Sequence, residues 1–381
     1  MELMSESVTA SSTMDCYSTK NILVLYVGGT IGMKKNHNGA LIPAQNAFLK
    51  KIKNNPELHD AKWANLFLED RLKENEMVLP QSCGDKIIYR MIEYSPLLDS
   101  SNMTSKDWIR IAKDIEFYYN KYDGFVVLHG TDTLAYTSSA LSFMLDGLQK
   151  PVIITGSQIP IFESRSDAKD NFFGSLFIAG SFLIPEVCVF FANKLFRGNR
   201  VAKISTDDLD AFASPNYHAL VDVGIGFRVY DHYIKKIDVC KKFTVFTGLN
   251  PNVAVLEFFP TITAEMVIFF AVAKVEGVVI QSFGSGNVPS KIEILEVLRN
   301  AVNKGVMIVN ITICAKGNVS YSYETGKVLE DIGVVSGEDL TIEAALAKMC
   351  YVLGLPDLTF QERMQVMRSD LRGEMTITMN T

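Results

Sequence analysis

Histidine is scarce, with five in 381 residues, and the six cysteines are scattered without a CxxC pair or any Cys/His clustering. That excludes a structural zinc site, and a chain long enough to bury a large core needs no disulfides, so free thiols are expected. No stretch reaches the roughly 18 consecutive apolar residues of a membrane helix. The N-terminus, MELMSESVTASSTMDCYSTK, has neither a basic start nor an apolar run, so residues 1–20 are expected to form a flexible tail rather than a secretory signal. Cytoplasmic residence follows by exclusion. The net charge of -6, with no face that concentrates Lys and Arg, argues against a nucleic-acid partner. A Walker lysine motif, a GxGxxG loop after the first strand and a G-x-S-x-G elbow are all missing. FGSGNVPS (283–290) lacks the third glycine of a dinucleotide fingerprint.

What is present is a series of short apolar runs rich in branched residues. NILVLYV (21–27), GFVVL (124–128), PVIIT (151–155), VCVFF (187–191), NVAVLE (252–257), GVVIQ (277–281) and GVMIVNI (305–311) each suit a strand buried on both faces. Helical patterns lie between them, at 104–119, 133–148, 166–183, 290–303 and 341–353. The first opens on Thr104 with Asp107 three residues later, a variant capping box. Strands alternating with helices predict an α/β fold, with a larger N-terminal parallel-sheet domain flanked by helices and a smaller C-terminal α/β domain. The expected division is a domain at 21–215, a linker at 216–249 and a second domain at 250–381.

Ligands of open α/β sheets sit at the carboxyl ends of the strands. Two strand ends carry the same device there. VGGTIG places Thr30 after Gly28 and Gly29, and LHGTDT places Thr131 after Gly130, followed by Asp132. Glycine permits a sharp bend and a close backbone approach. Either threonine alone reads equally as a helix N-cap; together they favour a site. A threonine hydroxyl needs a base. His129 reads as a structural hydrogen-bonding residue behind its turn. Lys203 lies among polar residues after a strand-like run, which by itself indicates no more than a solvated lysine.

The motifs VGGTIGM, LLDSSNMT, VVLHGTDTLAYTSSALSFML, ITGSQIP, LFRGNRVAKI and DAFASPN, in this order, resemble the type I (cytoplasmic) L-asparaginases from about residue 21 onward. The resemblance implies hydrolysis of L-asparagine to L-aspartate and ammonia through an acyl-threonine, with no metal or organic cofactor. It makes Thr30 the nucleophile and Thr131, Asp132 and Lys203 a second triad. Asp99 and Ser100 would receive the α-amino and α-carboxylate groups of the substrate, with Asp132 also holding the ammonium. Asn287, in FGSGN, would approach the site of a partner subunit in a homodimer or homotetramer.

Two departures from the family pattern matter. Many relatives carry a tyrosine on the lid that follows GGTIG, where this chain has Ala40 and Leu41. Tyr323, in SYSYETG, matches a tyrosine of mammalian-type relatives and is expected to support the nucleophile instead, with Tyr321 its competitor. At the position of an arginine in the bacterial allosteric site stands Gln281, although Cys314 matches a cysteine of that site. Loss of a bidentate carboxylate partner argues against activation by asparagine there. Two other readings compete with hydrolysis. One is the asparaginase-like subunit of a tRNA-dependent amidotransferase, for which the tail is short. The other is a non-catalytic amino-acid-binding module, which would need no nucleophile.

Overall fold

The computed structural model describes residues 18–68, 72–81, 84–272, 274–320 and 324–377. Among these, nine strands form one large sheet: β1 (Thr19–Gly28), β2 (Glu76–Val78), β3 (Lys86–Leu98), β4 (Gly124–Leu128), β5 (Val152–Thr155), β6 (Val187–Phe191), β7 (Lys194–Arg197), β8 (Val221–Val223) and β9 (Phe227–Val229). Their order is β9-β8-β7-β6-β5-β4-β1-β3-β2. The five central strands, β3 to β6 with β1, run parallel. Antiparallel strands close both edges. A second sheet is wholly parallel and runs β10 (Val253–Glu257), β11 (Gly277–Ser282), β12 (Met307–Thr312) and β13 (Val335–Ser336). This is the two-domain α/β architecture that the alternation of strands and helices implies.

β1 explains why its sequence is an unbroken apolar run. Ile22, Val24 and Tyr26 enter the core on one face of the sheet, and Leu23, Leu25 and Val27 enter the core on the other. With both faces covered, polar alternation would bury unpaired groups. Helices α1 (Ser105–Tyr118) and α2 (Leu134–Met144) cover one face, and α3 (Ala168–Ser181) covers the other. The Asp107 carboxylate accepts from the Thr104 N–H at 2.8 Å, as in a capping box. In the small domain, α4 (Ile292–Asn303) and α5 (Ile342–Gly354) pack on opposite faces.

α2 is buried on nearly every side, because α5 packs on the flank that the sheet leaves open. Within residues 216–249, expected as a linker, β8 and β9 extend the large sheet. Gly224 and Gly226 form the tight turn of the β8–β9 hairpin, and Thr244–Val245 pairs with Leu145–Asp146. Of the expected tail, residues 1–17 lie outside the described residues; 19 and 20 already belong to β1.

The C-terminal segment laces the two domains together. Lys348 on α5 pairs with Glu374 at 2.6 Å, and both side chains are wholly buried. Burial raises the Glu374 carboxyl, but Lys348 and the Leu371 N–H outweigh it and hold the group well below the usual range. Arg200, just beyond β7, pairs with Asp339 at 2.8 Å and donates to the Gly373 carbonyl at 2.7 Å. Removing one member of a buried pair strands the other's charge, so Glu374→Gln is expected to cost about 3–5 kcal/mol. Urea unfolding measures it, and a loss below about 1 kcal/mol, the scale of a surface pair, contradicts the reading.

Candidate active site

The carboxyl ends of β1 and β4 meet at their glycines, and the end of β3 packs against both through Leu98 and Ser100. Gly28 and Gly29 hold φ values of 150° and 94°, conformations that L side chains rarely adopt. The contacts are as restrictive as the dihedrals. A Cβ on Gly28 would lie 2.0 Å from the Leu98 carbonyl oxygen, and one on Gly29 would lie 2.4 Å from the Gly130 nitrogen. A Cβ on Gly130 would stand 2.4 Å from Ser100 Oγ. The backbones of the two threonine turns therefore touch, and Thr30 and Thr131 follow the touching residues directly.

Thr30 is half-buried and opens a single 3₁₀ turn, Thr30–Gly32, without a side-chain cap. Beneath it, Tyr26 Oη packs against Gly32 and has no hydrogen-bond partner among the described residues. Burial, and then Glu93, push the Tyr26 phenol far above its ordinary range. It stays protonated and is no base.

Thr131 is buried, and Lys203 reaches it from a short ribbon in which Ala202–Lys203 pairs with Phe212–Ala213. Lys203 Nζ donates to Thr131 Oγ1 at 2.9 Å and to Asp132 Oδ1 at 2.8 Å. Gln158 Oε1 lies 3.4 Å from the same hydroxyl. Its main-chain N–H, like that of Ile159, is held by the Asp167 carboxylate. Gln158 also lines a surface depression of about 290 Å³, with Leu41 of the lid hairpin and Arg165. Sequence reasoning passed over Gln158. The available signal was a third strand end, Thr155-Gly156, that repeats the pattern of a buried strand stopping on glycine.

Ser100 is buried and its carbonyl accepts from Thr133 Oγ1 at 2.7 Å. Asp99 is exposed, with its carboxylate 3.2 Å from the Ser101 N–H. These two residues, both threonines, Asp132 and Lys203 thus gather around one rim. Asn287 belongs to the small domain, in a tight loop after β11 where it exchanges main-chain hydrogen bonds with Phe283. Tyr323 and Tyr321 lie outside the described residues. At the lid, Lys34↔Ile42 and Lys35↔Leu41 form a short hairpin with Leu41 exposed. No group of three or more metal-ligating side chains occurs among the described residues.

His129 is fully buried behind the Thr131 turn. Its Nδ1 lies 2.7 Å from the Gly130 carbonyl, and its Nε2 lies 2.9 Å from Thr137 Oγ1. Trp108 Nε1 donates to that same hydroxyl at 3.0 Å, which leaves the Thr137 proton for Nε2. The network assigns the neutral ring with its hydrogen on Nδ1.

Two family models match the chain in order: Asparaginase, N-terminal, over residues 21–235, and Glutaminase/Asparaginase C-terminal domain, over residues 252–367. L-asparaginase 1 of Escherichia coli is 39% identical over 359 residues, 94% of this chain and 98% of that protein. The mouse 60 kDa lysophospholipase is 44% identical over 361 residues, again 94% of this chain, but the chain spans 63% of its length. The crystal structure of L-asparaginase I from Vibrio cholerae superposes with a TM-score of 0.81 at 39% identity, covering 94% of this chain and all of the other.

Burial lowers the His129 pKa from 6.5 to about 4. The unfolded chain takes up this proton before the native one does, so the associated stability is complete above about pH 6.5 and declines toward pH 4, by about 3 kcal/mol. Ring nitrogen NMR shifts of His129 are expected to stay constant from pH 7 to about pH 5.5. A midpoint near the unperturbed value would contradict the buried neutral ring.

Proposed function

The chain belongs to the asparaginase family, and on that premise we propose that it hydrolyses the side-chain amide of L-asparagine to L-aspartate and ammonia. The observation that carries the reading is the Lys203–Thr131–Asp132 cluster, at 2.9 and 2.8 Å, beside the contact between Gly29 and Gly130. A binding module needs a carboxylate and polar donors, but it has no use for a lysine aimed at a buried threonine hydroxyl.

Thr30 Oγ1 attacks the amide carbon, and its hydroxyl proton is the one that ends on the departing nitrogen. The tetrahedral oxyanion is stabilised by main-chain N–H groups around Thr131, which the glycine contact holds in place before substrate arrives. Collapse breaks the C–N bond, the nitrogen leaves with a proton as ammonia, and an aspartyl ester remains on Thr30. Water then attacks the ester carbon and restores the hydroxyl, so that one difficult step becomes two easier ones. Lys203 Nζ donates to Thr131 Oγ1, so the hydroxyl accepts from it. That donation polarises the Thr131 hydroxyl. Asp132 anchors the lysine and, with Asp99 and Ser100, receives the fixed charges of the amino acid.

Tyr323 is the residue proposed to support Thr30 in place of a lid tyrosine. The working form is a cytoplasmic homodimer or homotetramer in which Asn287 of one subunit approaches its partner's site. The N-terminal unit, 21–215, carries the threonines, and the unit from 250 completes the site.

Purified protein is expected to release ammonia from L-asparagine. Thr30→Val is expected to lower kcat at least about 10³-fold, through loss of the nucleophile. Lys203→Met is expected to lower it by about 10²–10⁴-fold, the range of general acid–base contributions. Activity retained in either variant rejects these roles. Tight asparagine binding without ammonia release would instead assign a binding module, and dependence on a large co-purifying partner would assign an amidotransferase subunit.

A further inference from the structure

A cavity of about 230 Å³ opens on the edge of the large sheet opposite the threonines, where β5 and β6 begin. Five cationic side chains and three carboxylates line it, an excess of two positive charges (5 − 3). The carboxylates are already engaged. Glu186 takes Arg197 Nε at 2.5 Å and the Lys235 main-chain N–H at 2.6 Å. Asp146 Oδ1 is shared by Lys241 and Arg372, each at 2.7 Å. Asp238 accepts the Cys240 N–H at 3.0 Å.

Lys235 and Lys236 have no ion pair among the described residues. Lys235 is half-buried, and burial lowers its pKa while Glu186 and Asp370 oppose that shift. Burial and neighbouring Glu374 push the Asp370 carboxyl upward, and Lys235 opposes that shift.

Two further lining residues keep buried polar atoms unsatisfied. Arg372 Nε and Asn199 Oδ1 have no partner among the described residues, and Asn199 is wholly buried. The Asn199 amide donates from Nδ2 to the Arg372 carbonyl at 3.3 Å, which leaves Oδ1 as an acceptor. Buried groups of this kind are ordinarily satisfied, and an orphan needs a reason. Here the orphans and the unpaired lysines share one cavity. They demand an anion rich in acceptors that also carries one donor.

We propose that this cavity binds a small phosphate, free or as a monoester, with its oxygens on Lys235, Lys236 and Arg372 Nε and a donor on Asn199 Oδ1. A phosphate that retains a proton, or an ester with a neighbouring hydroxyl, supplies that donor; a simple dicarboxylate does not. Leu145, Leu148 and Leu371 give the remaining space an apolar wall suited to the carbon portion of an ester. Asn199 sits in the turn Gly198–Arg200, which leads directly to the strand bearing Lys203. An occupant would therefore steady the backbone that aims the lysine at Thr131.

Thermal unfolding of the full chain is measured against glycerol 3-phosphate, inorganic phosphate and succinate, with potassium chloride matching ionic strength. A saturable rise of about 2–4 °C with a phosphate compound is expected. Lys235→Met and the exposed Lys236→Ser should each weaken the apparent affinity about tenfold or more, from loss of a charged hydrogen bond. A larger response to glycerol 3-phosphate identifies an ester as the ligand, and equal responses identify free phosphate. An unchanged response in both variants, an equal response to succinate, or no phosphate response up to about 10 mM overturns the site.

Discussion

The contact between Gly29 and Gly130 is the constraint on which the candidate site depends. Two strand ends far apart in the chain approach until no Cβ fits between them. That approach brings two threonine-bearing turns to one rim. The Ser100 side chain, from a third strand end, also packs against Gly130, which leaves no room there for a Cβ. Preorganised backbone donors need no reorganisation when charge develops, which is the usual source of the largest electrostatic contribution to catalysis. Side chains placed on such a frame inherit its precision.

Lys203 shows how the rest of the molecule serves that frame. Its own ribbon is two residues long and would not hold a long side chain in position unaided. The turn before it is clamped on both sides. Ser138 on α2 donates to the Gly198 carbonyl at 2.6 Å, and the C-terminal segment engages Arg197, Asn199 and Arg200. The segment is itself fixed by the buried Lys348–Glu374 pair on α5. Stability of the domain interface and the aim of the lysine are therefore one problem. The cavity beside Arg197 and Asn199 lies on the same connection, at the opposite edge of the sheet.

Much of the fold was legible because parallel strands buried on both faces must be continuously apolar. The seven runs read as strands all correspond to strands of the two sheets, with shifts of at most a few residues at their ends. β3 was missed for the same physical reason. Its half-buried sequence, KIIYRMIEYSPLL, mixes Lys86, Arg90 and Glu93 with apolar residues and shows no unbroken run. The edge strands β2, β7, β8 and β9 are short and only partly covered, so they carry little pattern. In the site, local glycine chemistry marked Thr30 and Thr131, but their proximity is a tertiary contact that no local pattern encodes. Lys203 could be singled out only through the family resemblance, and Gln158, which reaches Thr131 from the loop after β5, was marked only by the glycine that ends that strand.

The central claim is that the two threonines differ in role, with Thr30 bonding to the substrate carbon and Thr131 working through Lys203. Acid-quenched turnover mixtures with L-asparagine, digested and mapped by mass spectrometry, test it most directly. The account predicts an aspartyl ester on the peptide containing Thr30, with no adduct on the peptide containing Thr131. An ester found on Thr131 instead would contradict it.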